Sequence, residues 1–173
     1  DTTRLAYVEI LDNEQALTAV GFLKRARAYF AAHGVAVLAV MTDNGSPFVS
    51  KLWRAQCSEL KLRHHRTRPY RPRTNGKAER FIRTLLAGWA YGTIYRSSPE
   101  RTTALDGWLW NYNHRRPHGS LSHKPPITRL TELNNVARSY TLGNAIVVAR
   151  ASIRLQRSSR DCPRSCVGMT ELE

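Results

Sequence analysis

The chain has 173 residues, 42% of them hydrophobic, enough for one folded domain with a core and too apolar for an intrinsically disordered polymer. Its 27 Lys and Arg against 13 Asp and Glu leave a formal charge of +14, which points to a polyanionic partner. No run of about twenty apolar residues suggests a membrane span, no signal-peptide pattern opens the chain, and Cys57, Cys162 and Cys166 cannot complete a disulfide framework, so a reducing compartment is expected.

Leu5 to Leu11 is apolar, aromatic and β-branched apart from Glu9, and it predicts a strand. Asn13 is placed to cap a helix with apolar positions Ala16, Ala19, Val20, Leu23 and Phe30. His33-Gly34 closes that helix, because glycine accepts the left-handed conformation. Val35 to Met41 is a continuous apolar run, the pattern of a strand buried on both faces. Asp43-Asn44-Gly45 turns the chain, and Val49, Leu52, Trp53, Gln56, Cys57 and Leu60 then recur at helical spacing. Leu62 to Thr67 predicts a third, short strand.

Pro69 and Pro72 forbid a regular helix in the next stretch. Asn75 is a good cap for a helix whose apolar face is Ala78, Phe81, Ile82, Leu85 and Trp89. Leu105, Trp108, Leu109 and Tyr112 mark a last helix, and Pro125-Pro126 is read as the end of the ordered pattern. Residues 134–173 are rich in Arg and Ser and contain one small apolar run, Ala145 to Ala149. They read as a basic, loosely ordered tail on a core of residues 1–133.

Strands alternating with helices predict an α/β domain, in which function gathers at the carboxyl ends of strands. Asp43 lies at such an end, and Glu79 lies in a first helical turn, where the dipole stabilises negative charge. Carboxylates of this kind are the oxygen donors that Mg²⁺ prefers, and two such ions about 3.5–4 Å apart activate the attacking oxygen and stabilise the leaving one in phosphodiester chemistry. Read singly, Asp43 is equally a turn-forming residue and Glu79 a solvated acid opposite Arg83. From Lys61 to Arg83, nine basic residues accompany a single acid, Glu79, and phosphate contact is the natural use of such a segment. Gly76 permits close backbone approach there. Cys162 and Cys166 have no nearby histidine and make a poor zinc site, while Cys57 and the four tryptophans read as core.

Thr42-Asp43-Asn44-Gly45-Ser46-Pro47-Phe48, His64-His65-Arg66-Thr67-Arg68-Pro69-Tyr70-Arg71-Pro72 and Thr74-Asn75-Gly76-Lys77-Ala78-Glu79-Arg80-Phe81 resemble the integrase catalytic core of bacterial insertion-sequence DDE transposases, within the retroviral-integrase-like superfamily. Tyr112-Asn113-His114-Arg115-Arg116-Pro117-His118 resembles the motif that closes that core. The resemblance implies a ribonuclease-H-like α/β fold with a mixed sheet flanked by helices. It also implies DNA cleavage and strand transfer with two Mg²⁺ or Mn²⁺ ions held by two aspartates and a glutamate. Asp43 would be the second carboxylate and Glu79 the third. The implied DNA contacts and supporting positions are Asn44, Gly45, His64, Arg66, Arg68, Arg71, Arg73, Asn75, Lys77, Arg80, Arg116 and His118.

Asp1-Thr2-Thr3-Arg4 resembles a turn that follows the family's second strand. By that match the chain reads as an N-terminally truncated piece, without the first aspartate and the first two strands. The partners implied are double-stranded DNA, both element ends and target, and other transposase subunits, with no membrane, in a bacterial cytoplasm close to the nucleoid. Little or no strand transfer is expected of the chain as it stands. A non-catalytic DNA-binding or subunit-pairing remnant is the competing reading. A generic RNA-binding domain is a third, and no aromatic stacking motif supports it.

Overall fold

The computed structural model describes residues 3–67, 76–137 and 144–149. Helix α1 (Ala16–Ala32) buries Ala19, Val20, Leu23, Ala26 and Phe30 at intervals of three and four, and this stripe packs on strand β1 (Ala36–Thr42). Asn13 works slightly upstream of the expected cap position. Its Oδ1 accepts from the Gln15 N–H at 3.0 Å and the Thr18 hydroxyl at 2.6 Å, while the helix itself starts at Ala16. Gly34 takes the expected left-handed conformation with φ +74°. A Cβ there would meet Asn134 Nδ2 at 3.2 Å, and that amide donates to the His33 carbonyl at 3.2 Å.

Strand β1 is central. Strand β2 (Arg63–Arg66) lies parallel on one side, with Val40 opposite His64 and Thr42 opposite Arg66. Strand β3 (Asn144–Ala149) lies parallel on the other, with an irregularity between Val37 and Ala39. The described sheet, in the order β2-β1-β3, is thus parallel throughout, where a mixed sheet was expected. Parallel neighbours need a crossover, and helices α2 (Ser46–Val49) and α3 (Lys51–Glu59) supply it between β1 and β2. The Ser50 hydroxyl accepts from the Trp53 N–H at 3.1 Å and starts α3. Trp53 then fills the core beside Phe48, ring to ring at 4.8 Å. Val40 is fully buried, but Leu38 on β1 is 38% exposed, so burial on both faces holds for only part of the strand.

Helix α4 (Gly76–Leu85) runs on into a π-helical turn, Leu86–Ala90. With α5 (Ser98–His114) it encloses a second core of Leu85, Trp89, Ala90 and Leu105. Trp89 Nε1 donates to the Arg101 carbonyl at 2.8 Å, which satisfies the one polar atom of a buried indole. Trp110 departs from the core reading. It is 49% exposed, stacks on His114, and carries the Arg115 guanidinium 4.9 Å from its ring centre.

Three further sequence expectations change. Leu5 to Leu11 forms no strand, and the described sheet is completed without it in the order β2-β1-β3. The side-chain amide of Asn113 replaces a strand partner at one point: Ala6 N–H donates to its Oδ1 at 3.0 Å, and its Nδ2 donates to the Ala6 carbonyl at 2.9 Å. Pro125-Pro126 does not end the order, since Pro126 opens helix α6 (Pro126–Ala137). A proline at a helix start sacrifices only an N–H that has no intrahelical acceptor. Lastly, residues 144–149, part of the segment read as a tail, lie beside β1 as β3, while residues 150–173 fall outside the described residues. No described helix is long and apolar enough to cross a membrane.

Candidate nucleic-acid and metal site

The carboxyl end of the sheet is built around Thr42, which is fully buried at the last position of β1. Its hydroxyl donates to the Asp43 carbonyl at 2.9 Å. Its oxygen also lies 2.8 Å from His64 Nε2 on β2, and with the hydroxyl proton already committed, the imidazole must be the donor. His64 Nε2 therefore carries a proton. Burial lowers its pKa, and the nearby Arg66 and His65 charges lower it further.

The turn after β1 is tied to the end of β2. Asp43 Oδ1 accepts from the Gly45 N–H at 2.9 Å, the bond of an Asx turn. Asn44 Nδ2 donates to the Thr67 carbonyl at 3.0 Å, and the Thr67 N–H donates to the Thr42 carbonyl at 2.9 Å. The turn-forming reading of Asp43 is thus realised, and it leaves the second carboxylate oxygen without a hydrogen-bond partner among the described residues. A cavity of about 420 Å³ opens beside this turn, lined by Phe48, Val49, Arg54, His64 and Arg66. Asp43, Asn44, Gly45, His64 and Arg66 are accordingly gathered at one end of the sheet. Arg54, which the sequence reading left outside the site, joins them from α3, at a position marked only as the polar face of a helix.

Glu79 sits in the first turn of α4, as expected, and it forms no ion pair with Arg83 among the described residues. No described hydrogen bond links it to Asp43. Arg80, Arg116 and His118 belong to a different group, on the α4 and α5 side of the molecule. Arg68, Arg71, Arg73 and Asn75 lie outside the described residues, and so does the side chain of Lys77.

Asp43 and Glu79 are the kind of donor that a hard divalent cation takes. Among the described residues, no cluster of three or more His, Cys, Asp or Glu is assembled that could hold a metal ion.

Residue 113 was quoted within a motif but not singled out from the sequence. It is 1% exposed, and besides Ala6 it donates to the Tyr29 hydroxyl at 3.2 Å, tying α5 to the extended segment and to α1. An asparagine beside aromatic residues on a helix gives no sequence sign of such a long-range partner. The extended segment is fixed further by Glu9, which takes a bidentate ion pair from Arg25 on α1, 2.7 Å at its shortest, and a hydrogen bond from the Tyr7 hydroxyl. Burial and the Glu9 carboxylate together push the Tyr7 pKa up to about 12.

Comparison with known proteins bears on these residues directly. Residues 1–72 match one family model described as integrase core domain, and residues 60–126 match a second with the same description. An uncharacterized protein of Caenorhabditis elegans is 30% identical over 124 residues, covering 72% of this chain and 9% of that protein. An uncharacterized insertion element IS136 protein of Agrobacterium fabrum is 29% identical over 103 residues, covering 60% of this chain and 51% of that protein. The chain spans about half the length, or less, of these curated relatives. Among solved structures, the catalytic core domain of BIV integrase superimposes with a TM-score of 0.59 at 20% identity, over 80% of this chain and 84% of that one. The expected α/β, ribonuclease-H-like fold is therefore the observed one, and residues 1–126 resemble the integrase core domain in two overlapping matches.

Proposed function

We propose that this chain is the DNA-engaging part of a DDE transposase of the insertion-sequence type, gripping duplex DNA at the carboxyl end of its sheet. The observation that supports this most is the pair of arginines, Arg54 and Arg66, that line one cavity together with His64. Cations fixed on a strand end and an adjoining helix position a phosphodiester backbone without reading its sequence. In this reading Asp43 and Glu79 are two carboxylates of a two-ion Mg²⁺ or Mn²⁺ centre that is completed by a donor from outside the described residues. Ions held there would supply the charge that strand cleavage and transfer require. The Thr42–His64 bond and the Asn44–Thr67 bond hold the Asp43 turn rigidly against β2.

A second reading, a non-catalytic remnant that binds DNA or pairs with other transposase subunits, draws support from the lack of a three-donor cluster among the described residues. The two readings are separated by a nicking assay on supercoiled plasmid with Mg²⁺. Cleavage lost in both Asp43→Asn and Glu79→Gln favours the catalytic reading; no cleavage, with duplex binding intact, favours the remnant. For binding itself, fluorescence anisotropy of a labelled duplex is expected to show an affinity that falls steeply with salt and a shallower salt slope for Arg66→Gln. Salt-independent affinity would refute DNA binding in both readings and leave only subunit pairing.

A further inference from the structure

A cationic cavity of about 460 Å³ lies outside the sheet end, between the N-terminal segment, the start of α4, the end of α5 and the loop that follows it. Its polar wall presents Arg4, Arg80, Arg116, His118 and Ser120, and no carboxylate is found among the described residues lining it. A second hollow of about 530 Å³ shares Arg80, Thr84 and Arg116 with the first and adds Arg83, again with no carboxylate among its described lining. Four arginines thus follow one continuous track, whereas the described ion pairs elsewhere each match a cation with Glu9 or Glu132. Cations crowded together without counter-charge repel one another, and a bound anion relieves that cost.

Two further observations bear on this cavity. Arg4 has a φ of +59°, a left-handed conformation that non-glycine residues rarely adopt and that it shares with Lys61, Ser122 and His123; such strain is found at functional positions. His118 Nε2 is buried without any hydrogen-bond partner among the described residues, which is itself unfavourable. Its ring stands edge-on to Tyr112, with centres 4.9 Å apart. Arg4 and Arg116 lie close enough to both rings to shift their protonation, so the two cations converge on one place.

We propose that Arg4, Arg116, Arg80 and His118 form a phosphate-binding pocket, distinct from the Asp43 end of the sheet, that seats one phosphate group while Arg83 receives a neighbouring one. The guanidinium fork suits two phosphate oxygens, and the phosphate charge favours protonation of His118, whose orphaned Nε2 then donates to a third oxygen. The phosphate comes either from a nucleic-acid strand or from free phosphate; the first source rests on the DNA reading above, the second does not. The continuity of the two hollows matches successive phosphates of one strand.

The test uses the whole chain and inorganic phosphate at constant ionic strength, reading the imidazole proton resonances of His118 by NMR. Saturable shifts that weaken roughly tenfold or more in Arg116→Gln and in Arg4→Gln are expected. Arg116→Lys keeps the charge and serves as the folding control. Unmoved His118 resonances, or equal responses in the wild-type chain and in a folded Arg116→Gln variant, would overturn the pocket. A duplex oligonucleotide added to the phosphate-loaded protein distinguishes the sources: displacement identifies a DNA phosphate, and persistence of the phosphate shifts identifies free phosphate. Failure of duplex binding at Arg66 leaves the phosphate titration unaffected, so the two readings fail separately.

Discussion

Replacing Asn113 with alanine should be among the most damaging single changes to this fold that leaves every charged residue in place. The side chain is 1% exposed and makes three hydrogen bonds, two to the Ala6 backbone and one to the Tyr29 hydroxyl. Ala6 is itself buried, so truncation strands an N–H and a C=O away from water. Each stranded group costs about 1–3 kcal/mol, and a water admitted to the new space recovers part of that. A net loss of roughly 2–5 kcal/mol follows, a large share of the roughly 5–15 kcal/mol that stabilises a domain. For a chain of this size that corresponds to a fall in melting temperature of roughly 5–15 °C. Asn113→Asp should be worse still at neutral pH, because a carboxylate offers no donor to the Ala6 carbonyl and carries an unpaired charge into the core. Urea denaturation followed by circular dichroism is the assay, with exposed Asn111→Ala as the control. If Asn113→Ala costs less than about 0.5 kcal/mol, the clamp between α5 and the N-terminal segment does not carry the load assigned to it.

Gly88→Ala should destabilise by about 1–3 kcal/mol in the same assay, because the added Cβ would stand 2.7 Å from Trp108 Nε1; a neutral result would show that the indole moves freely. Stability should decline as pH falls through the ordinary histidine value of 6.5. Burial holds both His64 and His118 below that value in the fold, so the unfolded chain takes up protons first, and His64→Gln with His118→Gln should flatten the decline. At lower pH a second loss is expected from Glu9. Burial alone would raise its pKa, but hydrogen bonds from Arg25 and Tyr7 and the Arg25 charge outweigh that and hold it down, so its stabilisation persists above the usual carboxylate range and vanishes as pH falls through the depressed value. Arg25→Gln should remove this second step from the pH profile of stability.

The elements that could be read from the sequence are those whose pattern is local. The α1 stripe, the left-handed Gly34, the apolar run of β1 and the Asp43 turn each declare themselves within a few residues. What escaped depends on partners far along the chain. Leu5 to Leu11 has the composition of a strand, yet pairing is decided by which segments occupy the edges of β1, and β3 arrives from more than a hundred residues away. Pro126 was misread because a proline breaks a helix only inside it; at the first position it is compatible with starting one. The site was legible in its chemistry more than its geometry. The sequence marked Asp43, His64 and Arg66 individually, but only the Thr42 bond shows how the His64 ring is fixed, and only the fold separates the Arg116 and His118 group from the sheet end.

Duplex DNA is proposed to lie across the carboxyl end of the sheet. This placement is tested most directly by photo-crosslinking a duplex oligonucleotide to the chain and mapping the modified peptides by mass spectrometry. Crosslinks in residues 42–48 and 63–67, reduced by Arg66→Gln, are the predicted result. Crosslinks confined to α6 or to the outer face of α3, with residues 42–48 and 63–67 unmodified, would contradict it.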